Sequence, residues 1–137
     1  MPFEWVDHTA DAGIEVRGSS AEAVLERAIL ATAAVIVGDS PLEPLEDRAI
    51  RATGADDAER LVCLLGEVIY LHDVESFLPA EATVRLDGET VTATLRGERF
   101  DEARHWVERD LKAVTFHQAA LRATTDGSWV GRVIFDL

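Results

Sequence analysis

A chain of 137 residues is long enough for one domain with its own core, and 47% hydrophobic with 28% charged residues is globular rather than disordered composition. Its 13 basic and 26 acidic residues give a net charge of −13, which repels phosphate backbones and speaks against direct, tight nucleic-acid binding; a cation or a basic protein surface is the better-matched partner. No apolar run approaches the roughly 20 residues of a membrane span, Met1-Pro2-Phe3-Glu4-Trp5 has no secretory pattern, and the lone Cys63 fits a reducing cytoplasm.

Phe3-Glu4-Trp5-Val6 reads as a strand. Asp7-His8-Thr9-Ala10-Asp11 follows as a turn, because Asp and Thr side chains bond nearby backbone. Gly13 to Gly18 alternates and suggests a second strand. Ser19 and Glu22 are spaced as a capping box for a helix running to Val37, with Val24, Leu25, Ala28, Ile29, Thr32, Val35 and Ile36 as its buried stripe. Gly38, Pro41 and Pro44 end that helix. A short strand is expected over Arg48–Thr53. Asp56 or Asp57 caps a second helix, buried through Leu61, Leu64, Leu65, Val68 and Leu71 and finished before Phe77.

Ala82–Leu86 and Thr90–Leu95 flank Asp87-Gly88, a hairpin signal for a type I′ turn. Asp101 is placed to cap a third, short helix carrying Ala103, Trp106 and Val107. Extended structure resumes at Val114, where β-branched and aromatic residues cluster. Asp126-Gly127 turns the chain into a closing strand from Trp129 to Phe135. The order is approximately ββαβαββαββ: an α+β fold, helices packed on a mixed or mostly antiparallel sheet, with no domain boundary within residues 1–137.

The four histidines have no metalloprotease spacing and Cys63 stands alone, so a zinc site is unsupported. Phosphate-binding glycine loops and a nucleophile elbow are absent as motifs. Two acidic segments remain. Asp7–Asp11 is a self-bonded turn or a metal loop in which Asp11 supplies a carboxylate. Asp136 is a solvated residue near the chain end or, with the carboxylate of Leu137, part of a cluster of hard oxygens suited to Ca²⁺, Mg²⁺ or Mn²⁺. A third candidate is Lys112-Ala113-Val114-Thr115-Phe116-His117: core and solvated residues, or an anionic pocket flanked by Lys112 and His117.

Together, Phe3-Glu4 before Asp7-His8-Thr9-Ala10-Asp11, the Lys112–His117 string and the closing Trp129…Ile134-Phe135-Asp136-Leu137 resemble the archease family. The likeness extends over essentially the whole chain. It departs at Phe116, where Tyr is common, at Leu137, where Ile is frequent, and at Leu64-Leu65-Gly66-Glu67, where a Trp and an Asn are often found.

The resemblance implies a compact α+β domain and a helper protein rather than an enzyme. Archeases act on RtcB-type RNA ligases in tRNA splicing and RNA repair. They promote guanylylation of the ligase, support multiple turnover and can broaden its nucleotide use. Contact with GTP and RNA then runs through the ligase. The resemblance further implies one divalent metal, Ca²⁺ in first place, held by Asp11, Asp136 and Leu137. It gives no role to Asp7, His8, Lys112 or His117. Two other readings stand beside it: a metal-dependent hydrolase using Asp11 and Asp136, and an acidic chaperone-like binding module.

Overall fold

Two apolar stripes at helical spacing organise the molecule, whose computed structural model describes residues 3–6 and 11–137, without the side chains of Trp5, Val6 and Asp11. The first stripe belongs to α1 (Ala21–Val37) and the second to α2 (Asp57–Glu75). Around them run β1 (Glu4–Val6), β2 (Asp11–Gly18), β3 (Glu46–Thr53), β4 (Phe77–Asp87), β5 (Thr90–Arg99), β6 (Ala113–Ala123) and β7 (Trp129–Asp136). The strands form two sheets, ordered β1-β2-β7-β6 and β3-β5-β4, and every pairing among them is antiparallel. Each helix packs on strands of both sheets, and one apolar cluster joins Ile14 and Phe135 to Leu25, Leu65, Phe77 and Leu95.

Helix ends are set by local chemistry. Ser20, not Ser19, caps α1: its backbone is extended and its Oγ accepts from the Ala23 N–H at 3.1 Å. The residue three on is therefore Ala23, and the expected reciprocal bond from Glu22 is not the one used. Asp56 caps α2, accepting from the Glu59 N–H at 2.8 Å. Gly38 closes α1 at φ 60°. No basic residue sits in the last turn of α1. Instead the Glu108 and Arg109 N–H groups donate to the Ile36 carbonyl at 2.7 and 3.2 Å.

The third helix predicted from Asp101 does not form. The Arg104 and His105 N–H groups both return to the Asp101 carbonyl, making a single turn. His105 then leaves the helical path: its Nδ1 accepts from the Asp101 N–H at 2.9 Å and its Nε2 lies 2.9 Å from the Pro41 carbonyl. Satisfying these loop groups wins over propagating a helix without an apolar stripe. Trp106 and Val107 are accordingly exposed, while His105 and Leu111 are buried.

The β4–β5 hairpin is longer than its sequence signal. Pro79 argues against a central strand, but β4 lies at a sheet edge and the register shifts between Pro79 and Glu81, where proline is tolerated. That edge is partly closed by Glu26 of α1, which accepts the Val84 N–H at 2.8 Å. Asp87 pairs with Thr90, so the two loop residues are Gly88 and Glu89. Gly88 has φ 62° and Glu89 is not among the positive-φ residues. The turn is thus of type II′, one residue on from the predicted Asp87-Gly88 type I′ turn.

Gly66 sits inside α2 with no neighbour within 4 Å of the place a Cβ would take. Gly66→Ala is expected to stabilise the protein by about 0.5–1 kcal/mol, by reducing the freedom of the unfolded chain. Thermal unfolding checks this, and a lowered midpoint would contradict it.

Candidate functional site

β7 lies between β2 and β6, and its last residue is Asp136. The β2–β7 register sets Asp11 opposite Asp136, Gly13 opposite Ile134 and Glu15 opposite Arg132. On the other side Ala113 of β6 faces Asp136, and the Lys112 N–H donates to the Asp136 carbonyl at 2.9 Å. The backbone thus brings the two predicted aspartates, from near the two ends of the sequence, to opposed positions on one sheet. Opposed residues in an antiparallel ladder have Cα atoms about 4.5–5.5 Å apart.

Asp136 and Leu137 are both exposed. Lys112, the only lysine of the chain, is also exposed, as are Phe116 and His117. Asp7, His8, Thr9 and Ala10 lie outside the described residues, as does the Asp11 side chain. Among the described residues no group of three or more His, Cys, Asp or Glu side chains is clustered as a metal site. Inward of this end, Thr115 Oγ1 and Arg132 Nε are buried with no hydrogen-bond partner.

Cys63 lines an open groove of about 470 Å³ with Arg51, Ala52, Thr53, Gly66 and Glu67. Burial, with the charges of Glu59 and Glu67, pushes its thiol pKa up. That keeps it protonated and a poor nucleophile.

A buried ionic cluster, which the sequence reading missed, joins the end of β5 to the loops on either side. Glu98 is 4% exposed and bonds both carboxylate oxygens to Arg104. It also accepts the Glu43 N–H at 2.6 Å, and His105 Nε2 lies 3.5 Å away. Burial pushes the Glu98 carboxyl up. The hydrogen bonds from Arg104 and Glu43 and the charge of Arg104 outweigh it, so the group titrates below the ordinary range. In β5, Val91, Ala93, Leu95 and Gly97 alternate inward, and Glu98 is buried out of phase with them. Alternation therefore gave no signal for it.

Known proteins match this chain end to end. The model of the Archease protein family (MTH1598/TM1083) matches residues 3–137. A protein archease of Methanothermobacter thermautotrophicus is 37% identical, with 98% of each chain covered. That of Methanopyrus kandleri is 33% identical over 100% of both, and that of Pyrococcus furiosus 31% over 98% of both. The solution structure of Methanobacterium thermoautotrophicum protein 1598 superposes with a TM-score of 0.85 at 35% identity, covering 98% of each chain. The crystal structure of an archease, possible chaperone, from Thermotoga maritima shares the fold, with a TM-score of 0.66 at 23% identity over 96% of this chain and 94% of that one. With its fold and its whole length accounted for in this way, the chain belongs to the archease family.

Proposed function

We propose that this protein is a metal-binding accessory factor of an RtcB-type RNA ligase and not itself a catalyst. The observation that carries the reading is the Asp11–Asp136 register pair in an archease-family chain. Two carboxylates and the main-chain oxygens of Leu137 form a hard-oxygen donor set, which fits Ca²⁺ first and Mg²⁺ or Mn²⁺ after it. Asp136 is well held for such a task, being the end of a strand paired on both sides. A bound cation would supply concentrated positive charge where GTP phosphates and the ligase nucleophile must be brought together.

The chain's own residues account for the rest. A net charge of −13 steers the protein toward a cationic ligase cleft and speeds encounter. The exposed Asp136 end then meets the cleft, and Lys112, tied to Asp136 through its N–H, sits beside it. The outcome is faster guanylylation of the ligase, release for further turnovers and wider nucleotide use. GTP and RNA are contacted through the ligase. We place this activity in the cytoplasm; no helix of the described residues is long and apolar enough to cross a membrane.

Asp11→Ala and Asp136→Ala should each reduce stimulation of the cognate ligase at least about tenfold. Calcium should raise the thermal midpoint of the wild type and leave both variants unmoved, since a ion bound only by the folded state stabilises it. Full stimulation by both variants, with their folding intact, would falsify the reading.

A further inference from the structure

The strand beside Asp136 carries an irregularity that the metal reading does not use. β6 and β7 pair regularly from Ala113 opposite Asp136 to Thr115 opposite Ile134, and pairing resumes at Ala120 opposite Arg132. Phe116, His117, Gln118 and Ala119 therefore stand against Val133 alone. Gln118 has φ 56°, a left-handed conformation that non-glycine residues rarely adopt. Its Oε1 accepts a hydrogen bond from Arg132 Nη2 at 2.8 Å. Phe116 is 64% exposed.

Bulges re-aim side chains and are over-represented next to functional sites. A left-handed non-glycine residue persists only where its surroundings hold it, and such strain clusters at binding sites. The exposed ring of Phe116 stands at the first residue of this bulge. Val133 is three residues before Asp136, so the bulge lies about 10 Å along the sheet from it. Leu137, 40% exposed, lies on the far side of Asp136. An acidic group with an exposed apolar residue to either side complements a cationic cleft with apolar lips.

We propose that the Phe116–Ala119 bulge is a second docking element for the same ligase, an inference that rests on the reading above. Phe116 enters an apolar recess at the rim of the cationic cleft. Gln118, bonded to Arg132, is a positioning residue that holds the bulge in shape. Buried aromatic anchors of this kind dominate the energetics of many interfaces.

The test is the Kd of the purified RtcB-type ligase for the full chain, measured by calorimetry, with stimulation and the calcium-binding isotherm alongside. Phe116→Ala should raise Kd at least about tenfold, and Gln118→Ala several-fold with the aromatic still present. Phe116→Tyr should keep wild-type affinity. Thermal midpoint and calcium isotherm should be unmoved in both Phe116 variants, and the calcium isotherm also in Gln118→Ala, which separates lost docking from lost structure or lost metal. A Phe116→Ala protein binding within about twofold of wild type, while Asp136→Ala fails to stimulate, overturns this inference alone. A wild-type protein that neither binds nor stimulates the ligase overturns both.

Discussion

Gly97→Ala is expected to leave little folded protein. A Cβ at this position would lie 2.0 Å from the Leu78 carbonyl oxygen and 2.8 Å from the Pro79 Cα. Both are backbone atoms of β4, at the place where its register shifts against β5. The strand cannot step aside freely, because Phe77 and Leu78 are fully buried. The destabilisation should exceed about 4 kcal/mol, lowering the thermal midpoint by more than about 10 °C. Gly131→Ala is an informative comparison. Its Cβ would come 2.7 Å from Val24 Cγ1, a side-chain methyl rather than a backbone atom, so the loss should be smaller, though Val24 is fully buried and stiff at χ1. A Gly97→Ala protein melting within about 3 °C of wild type would contradict the argument.

Glu98→Ala should cost about 2–3 kcal/mol, because it removes the buried carboxylate that holds Arg104 and leaves the Glu43 N–H without its acceptor. Arg104 is a third exposed and regains water, which keeps the loss at the lower end for a broken buried pair. The cluster also sets an acid limit. Glu98 is depressed in the folded state, so the unfolded chain takes up the proton first as pH falls. Its contribution is complete above the unfolded value of about 4.3 and is lost as pH drops through the lower folded value. Arg104→Ala should move this loss to higher pH, since the leading hydrogen bond that lowers the carboxyl is gone. Denaturant midpoints measured from pH 7 to pH 3 read both effects. An acid limb unchanged in Arg104→Ala would show that the guanidinium does not hold Glu98 ionised.

What the sequence revealed followed the range of the forces involved. Leu61, Leu64, Leu65 and Val68 mark α2, and Asp56 its cap, because helix burial and capping act within a few residues. The hairpin was legible as a hairpin, yet its turn fell one residue on, since the β4–β5 register is fixed along all of both strands. The third helix failed because the bonds of Asp101 and His105 compete within the same turn, and the acceptor for Glu108 and Arg109 comes from Ile36, far back in the chain. Glu98 was hidden for a similar reason: its partners come from Glu43 and from Arg104, on different loops. The candidate site divides in the same way. Asp11, Asp136 and Leu137 could be named from motifs, whereas their opposition is a long-range pairing that no local pattern encodes.

The placement of β7 between β2 and β6 has a bearing on biosynthesis. A nascent chain emerging from the ribosome holds β2 early and must wait for almost all of the remaining sequence before β7 can pair with it. Closing so long a loop is entropically slow. Until then β2 lacks its main partner, and Asp11 has nothing opposite it. A translation product stalled before β7 therefore holds Asp11 without the Asp136 that pairs with it in the folded protein.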